Sequence, residues 1–410
     1  MSNMPARLRI AVIAPSLDGN DIGEVYGSFK WIEAMAQRAD VTVLSSSRRG
    51  AQPLADQLPA ARVVTWPEIP FLYEKMERFN AQAKPGFPLF RRQVRAWMHA
   101  ALARGEVFDI THQILPQAMR HSTPLRGLGI PYVLGPLGGG LETPRAFQGE
   151  VADNSSIASR MRALDVWRRR WDPQLRASFA EADLMLGVAP YIADILAPLN
   201  IRRFHVMHEI GRGPIPPEHP RQNEPAQLKL LHVGRTIRTK GLRDTVRAMG
   251  HLRDMPGVSL TVAGDGADMP ACRAEAERLD LMDRITFLGK QPRDRVEELY
   301  AQADAFCFPS FREPLGGVLL EALAHGLPII TAARGGPDAV VDESCGFRIP
   351  VTEPVRFARD IADAIRKLAD DPQLRLLLGQ GARRRYAGFD DWDAMADRTI
   401  GYYQEVLENR

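Results

Sequence analysis

Short, nearly uninterrupted apolar runs alternate along this chain with longer segments whose apolar positions recur every three or four residues. The first run is Leu8-Arg9-Ile10-Ala11-Val12-Ile13-Ala14-Pro15. A loop with Gly19 and Gly23 follows at residues 16–24, then a helical pattern over 26–38, then the run Val41-Thr42-Val43-Leu44. Strand, glycine loop, helix and strand at this spacing predict a βαβ unit and hence a parallel sheet. Further runs at 108–111, 132–134 and 184–188 lack polar alternation, as strands covered on both faces do. Residues 211–227, GRGPIPPEHPRQNEPAQ, are rich in proline and poor in apolar side chains, the pattern of a linker. Beyond them the pattern restarts, with strands at 228–233, 258–263, 285–288, 305–308 and 328–331 and helices between them. Two doubly wound parallel-sheet α/β domains are therefore predicted, residues 1–210 and 228–390, facing across a cleft. Open sheets of this kind take ligands at the carboxyl ends of their strands.

Composition narrows the class. In 410 residues, 45% are apolar and 25% charged, the balance of a globular protein. No apolar run is long enough for a transmembrane helix. The N-terminus runs straight into a strand pattern, so no signal peptide is expected. The three cysteines, Cys272, Cys307 and Cys345, fit neither a disulfide framework nor a zinc site, so a cytoplasmic location is expected. Charge is uneven: residues 1–205 hold 25 basic and 19 acidic side chains, residues 206–410 hold 28 and 31. That asymmetry argues against a nucleic-acid binder and suits one half facing an anionic surface or ligand.

Three strand-to-helix turns of the second half carry candidate chemistry. In Glu313-Pro314-Leu315-Gly316-Gly317-Val318-Leu319-Leu320-Glu321, two glycines at a helix start leave backbone N–H groups open to an anion. Its two glutamates are too far apart for one small site, so they either hold two polyol portions of one long ligand or serve as a cap and a solvated helix acid. In Val233-Gly234-Arg235-Thr236-Ile237-Arg238-Thr239-Lys240-Gly241, Arg235 and Lys240 place fixed positive charge beside a helix start, as a diphosphate site requires, or form a solvated loop. The third turn is Gly335-Gly336-Pro337. Together with Gly264-Asp265-Gly266, Phe287-Leu288-Gly289, Phe308-Pro309-Ser310 and Ala322-Leu323-Ala324-His325-Gly326-Leu327-Pro328, these phrases resemble the nucleotide-sugar half of GT-B glycosyltransferases of the retaining family 4 type. The resemblance is dense over residues 228–347 and sparser before them.

That resemblance implies two Rossmann-like domains, the first completed by the C-terminal helix at 391–410. It implies a donor diphosphate neutralised by Arg235 and Lys240, and hexose hydroxyls held by Glu313. Backbone N–H groups would come from Leu315, Gly316 and Gly317, with Gly234 in the phosphate loop, Glu321 on the ribose and Lys290 near the base. Catalytic weight falls on Glu313, Lys240, Arg235 and His112, which resembles the family's strand-end histidine near the reacting carbon; as a lone histidine it is equally readable as structural. His325, where the family often carries cysteine, reads as a packing residue. The diphosphate charge is met by cations and a helix end, so no metal and no cofactor are expected. Asp18/Asp21 and Asp391/Asp393 read as loop and cap acids.

In the first half, Gly23 is a candidate for approach to the donor phosphate. Gly138 and Gly139, in the loop Gly135-Pro136-Leu137-Gly138-Gly139-Gly140, and Glu209 before the linker are candidates on the acceptor side; plain turns and hinge packing are the alternatives. Two basic aromatic stretches, 87–97 and 160–176, the second with Trp167-Arg168-Arg169-Arg170-Trp171, fit either the inner face of an anionic membrane or a solvated helix face with tryptophans turned inward. The expectation is a retaining, metal-independent transferase moving a hexose from a UDP- or GDP-sugar to a hydroxyl of a saccharide or lipid-linked acceptor, in bacterial surface polysaccharide or glycolipid synthesis. A nucleotide-sugar epimerase or hydrolase of the same fold, or a non-catalytic nucleotide-sugar-binding protein, are the alternatives.

Overall fold

The computed structural model describes residues 7–21, 23–76, 79–80, 83–151, 156–218 and 224–409, with backbone only over 156–163. The chain divides into two compact units. The first comprises Met1–Gly140, Ile157–Gly211 and Asp390–Arg410, the second Leu141–Ser156 and Arg212–Phe389.

The first unit is built on β1 (Arg9–Ile13), β2 (Asp40–Ser47), β3 (Arg62–Pro67), β4 (Ile110–Gln113), β5 (Tyr132–Leu137), β6 (Leu184–Gly187) and β7 (Phe204–Val206). They form one sheet in the order β3-β2-β1-β4-β5-β6-β7, every pairing parallel. β1, β4, β5 and β6 are buried almost throughout, which is why they read as continuous apolar runs. The helix Gly23–Ala36 contributes Trp31, Ile32 and Met35 to this core, and the helix Trp392–Glu408 contributes Met395, Tyr403 and Val406. Trp31 Nε1 donates to Thr399 Oγ1 at 3.0 Å, tying these two helices together.

The second unit holds β8 (Leu228–Val233), β9 (Val258–Ala263), β10 (Ile285–Gly289), β11 (Ala305–Phe308), β12 (Ile329–Ala332) and β13 (Gly346–Ile349). Their order is β10-β9-β8-β11-β12-β13, again all parallel. In both sheets the strand order reverses beside the first strand, at β1/β4 and at β8/β11. Such a switch point opens a crevice at the carboxyl ends of the two strands, because their following segments leave in opposite directions.

The sequence reading missed β3, β7 and β13. All three lie at sheet edges, are half-exposed over much of their length or run three to four residues, and so lack the buried run that marks a central strand. Two boundaries also move. Residues 141–156 were expected in the first domain but belong to the second unit, where Phe147 is buried against Phe311 and Phe357. The expected linker is not a free tether where it is described. Arg383 donates to the carbonyls of Pro216 (2.9 Å) and Pro217 (3.1 Å), and Arg375 to those of Glu224 (2.9 Å) and Gln227 (2.5 Å). Prolines lack N–H groups and leave carbonyls without strand or helix partners, and the arginines of the helix Pro372–Ala387 collect them. Residues 219–223 of the linker lie outside the described residues.

Candidate active site

The switch point of the second unit gathers most of the residues singled out above. β8 ends at Val233 and passes into Gly234 and the exposed Arg235, then through a single helical turn, Arg238–Lys240, to Gly241. β11, its neighbour, ends at Phe308 and passes through residues 309–316 into the helix Gly317–Ala324. Gly241 adopts a φ of +80°, and a Cβ there would run into the Pro309 carbonyl, so the two loops touch backbone to backbone. Gly336 does the same on the far side, lying against Pro314 and Leu315 while its N–H donates to the Glu313 carbonyl at 3.0 Å. Both glycine turns serve to hold the Glu313–Gly317 loop in place.

Between these loops Lys240 and Glu313 form an ion pair, their side chains only 10% and 12% exposed. Burial pulls the Lys240 pKa down, Glu313 works against that, and Arg235 and Arg312 add repulsion. Three cations thus share one neighbourhood in which Glu313 pairs with Lys240 alone, an arrangement poised for a further anion. Lys240 Nζ also lies 5.8 Å from the centre of the Phe308 ring. Leu315 and Gly316 are buried, and Gly316 immediately precedes the helix.

Glu321 has a separate environment. Its carboxylate accepts from Arg293 Nη1 at 2.7 Å and from the Tyr300 hydroxyl at 3.0 Å, and Tyr300 is fully buried with its pKa raised by burial and by Glu321. The two glutamates therefore sit in two subsites. Lys290 is exposed at the carboxyl end of β10. His325 is buried, stacked on Tyr300 and bonded through Nε2 to Glu297 at 2.8 Å.

Sequence reasoning missed Arg312, Arg293, Tyr300 and, above all, Arg238. Arg238 is 2% exposed and grips Asp244 with two bonds of 2.6 and 2.9 Å and Glu150 with one of 2.7 Å. Burial opposes its charge, but these two carboxylates more than restore it. Arg312 donates to Thr143 Oγ1 at 2.8 Å. The basic, threonine-rich composition of Gly234–Gly241 was the visible signal; which arginine is structural and which faces outward was not.

The first-unit candidates fare differently. His112 is completely buried in β4, with Nδ1 2.5 Å from the Tyr403 hydroxyl and Nε2 2.8 Å from the Gly135 carbonyl oxygen. Both ring nitrogens are spent inside the core, so the expected catalytic role is withdrawn and the structural reading stands. Gly138 is not in an open loop: it is buried, with its N–H donating to the Gln117 carbonyl at 3.1 Å, while Gly139 accepts from the Tyr191 hydroxyl at 3.1 Å. Gly23 is exposed at the first residue of its helix with a φ of +64°. Glu209 is half-buried, its backbone against Gly27. Asp391 caps the last helix by accepting from Ala394 N–H at 2.9 Å. Trp167 and Trp171 are 57% and 63% exposed, so they are not turned to the core; the side chains of Arg160 and Arg162 lie outside the described residues.

A pocket the sequence did not reveal lies at the carboxyl ends of β1, β2 and β3. Ser16, Ser46, Glu68 and Lys84 supply polar groups there, and Ile69 and Leu72 an apolar wall. Ser16 takes a left-handed φ of 62°, costly for a non-glycine residue, and its hydroxyl bonds Glu68, which Arg48 also holds at 3.1 Å.

Three histidines, His112 and His232 fully buried and His121 half-buried, set the acid response. Burial pushes the pKa of His112 and His121 down to about 3 and that of His232 to about 4. Unfolded, each titrates near 6.5. Below that value the unfolded chain takes up protons the folded one refuses, so stability is complete above about pH 6.5 and is lost as pH falls towards 3–4. Tm is expected to fall steadily from pH 7 to 4.5, and His232→Gln to flatten part of the slope. A pH-independent Tm over this range would refute the assignment.

Residues 216–385 match the family model described as "Glycosyl transferases group 1". A glycogen synthase of Mycobacterium tuberculosis is 33% identical over 197 residues, 48% of this chain and 46% of the relative. A D-inositol 3-phosphate glycosyltransferase of Segniliparus rotundus is 33% identical over 190 residues, 45% of this chain and 41% of the relative. The chain thus matches less than half the length of these curated relatives. Among solved structures, sucrose-phosphate synthase of Thermosynechococcus elongatus superposes with a TM-score of 0.66 at 20% identity, covering 98% of this chain and 100% of that one. HepE of Anabaena in complex with UDP gives 0.64 at 16%, covering 97% and 100%. WaaG, a glycosyltransferase involved in lipopolysaccharide biosynthesis, gives 0.58 at 19%, covering 96% and 99%. The chain has the two Rossmann-like parallel sheets of the GT-B fold, and its match to the glycosyl transferases group 1 model falls within the second unit.

Proposed function

We propose that the protein is a retaining, metal-independent glycosyltransferase of family 4 type that moves a hexose from a UDP- or GDP-sugar to a hydroxyl of a saccharide or lipid-linked acceptor. The observation that carries this reading is the Lys240–Glu313 pair at the β8/β11 switch point, flanked by Arg235 and by the start of the helix Gly317–Ala324. On donor binding the pair parts. Lys240 and Arg235 turn to the diphosphate, joined by the N–H groups of Leu315, Gly316 and Gly317, with Gly234 in the phosphate loop. Glu313 takes hexose hydroxyls. Glu321, oriented by Arg293 and Tyr300, takes the ribose, and Lys290 lies towards the base. As the glycosidic bond breaks, charge grows on the leaving diphosphate, where these cations already stand and need no reorganisation.

The acceptor fits the pocket around Ser16 and Glu68, whose hydroxyl and carboxylate suit sugar hydroxyls while its apolar wall suits a lipid or aglycone portion. Gly23, Gly139 and Glu209 remain candidates for shaping the approaches in the first unit. Exposed Trp167 and Trp171, with Arg170 over the Trp171 ring at 5.4 Å, support peripheral contact with the inner face of an anionic membrane, a setting that suits surface polysaccharide or glycolipid assembly. No described helix is long and apolar enough to cross a membrane.

The test is a thermal-shift screen of UDP-, GDP-, ADP- and dTDP-sugars followed by transfer to a panel of saccharide and lipid-linked acceptors. One nucleotide class should raise Tm, since ligand that binds only the native state stabilises it. The product should keep the donor's anomeric configuration by NMR. Release of epimerised sugar without any acceptor, or binding without turnover on every acceptor, would replace this reading with an epimerase or a binding protein.

A further inference from the structure

In the first unit, four arginines that donor chemistry leaves unused converge on one cavity. The helix Phe87–Ala103 buries Phe87, Phe90, Val94, Met98 and Ala101 at helical spacing. Arg91, Arg92 and Arg95 of this helix line a cavity of about 470 Å³, closed by Arg126 and by Gln174, Ser178 and Glu181 from the segment that opposes it. Glu181 is the one carboxylate in the lining, and Arg126 already holds it at 2.7 Å. The partners recorded for Arg91 and Arg95 are neutral oxygens. Arg91 donates to Ser122 Oγ at 2.6 Å, and Arg95 to the carbonyls of Pro124 (3.2 Å) and Arg126 (2.7 Å).

Neutral partners fix a guanidinium in place without discharging it. A solvated basic face spreads its arginines into water; here Arg91 is half-buried and held by Ser122, Arg95 is held by two carbonyls, and the exposed Arg92 stands beside them at the same concavity. The Arg91 pKa is lowered by burial and then by Arg92, Arg95 and Arg168, and Asp172 opposes them only in part, so the local field is positive. Planar guanidinium forks match the oxygens of a phosphate group. The volume falls within the ~300–1,000 Å³ of small-molecule pockets and exceeds what a bare ion needs.

We propose that this cavity binds a phosphate group attached to an organic remainder, either a phospholipid headgroup or a free phosphorylated metabolite. The site does not depend on the donor assignment. The experiment uses the full chain and two probes: glycerol 3-phosphate in a thermal-shift titration, and phosphatidylcholine vesicles with or without phosphatidylglycerol in co-sedimentation. A saturable rise in Tm identifies a soluble phosphate ligand, and binding confined to phosphatidylglycerol vesicles identifies a headgroup. Either response should persist in Lys240→Ala, which disables the proposed donor site, and should weaken roughly tenfold or more in the Arg91→Gln/Arg92→Gln double variant, about the loss of one charge-assisted hydrogen bond. Arg92→Glu is the second variant, at an exposed position where folding is not at stake, and should abolish the response. No response to either probe, or a full response in both arginine variants, overturns the proposal.

Discussion

Lys240→Ala is expected to lower kcat/KM for the nucleotide sugar by about 10²–10³-fold, the usual cost of removing one preorganised charge from a transition state. Most of the loss should fall on kcat, because Lys240 meets charge that grows as the diphosphate leaves. Glu313→Gln keeps the side-chain shape and should lose a comparable factor through the hexose hydroxyls. Stability separates this account from a structural one. Either single variant strands one partly buried partner and should cost about 1–3 kcal/mol in urea unfolding. The double variant Lys240→Met/Glu313→Leu removes both charges and should recover most of that stability, since buried ion pairs are commonly neutral against apolar replacements. It should remain inactive. Turnover of Lys240→Ala within threefold of the native protein, measured by nucleoside diphosphate release, would defeat the assigned site.

In the second unit β8, β9 and β11 could be read to the residue and β12 to within one. β11 is buried throughout and β8 at all but one position, so burial writes an almost continuous apolar run into the chain, while β9 alternates buried apolar residues with the exposed Ser259 and half-buried Thr261. The edge strands β3, β7 and β13 carry no such signature. In the site, residue types were legible where a loop needs glycine or a diphosphate needs a cation, but partnerships were not. Lys240 and Glu313 are 73 positions apart, and their meeting depends on β8 lying beside β11. Arg312, Arg293 and Tyr300 join the site through the same long-range geometry. His112 shows the converse failure. A polar residue at the end of an apolar strand suggests chemistry, and nothing nearby reveals that Tyr403, 291 residues later, covers it.

The segment 141–151 should matter to the donor loop as much as any residue that touches substrate. Phe147 is fully buried, its ring 4.6 Å from that of Phe311 and 5.8 Å from that of Phe357. The Arg238 guanidinium lies 5.4 Å from the Phe147 ring and 5.3 Å from that of Phe311, while Glu150 bonds both Arg238 and Arg247. Phe311 stands two residues before Glu313, and Arg238 two before Lys240, so one aromatic–cationic cluster underlies both sides of the ion pair. Phe147→Ala opens a cavity beneath them and removes one face of the cation–π contact. The expected cost is about 3–5 kcal/mol, or roughly 6–20 °C in the Tm of a unit of this size. The donor KM should rise several-fold as the Phe311–Glu313 segment loses its support. Phe147→Leu restores apolar volume without the ring, and should recover most of the stability while keeping a deficit of about 1 kcal/mol from the lost cation–π and ring contacts. Phe147→Ala with native Tm and native donor KM would show that residues 141–151 merely pass over the second unit without supporting it.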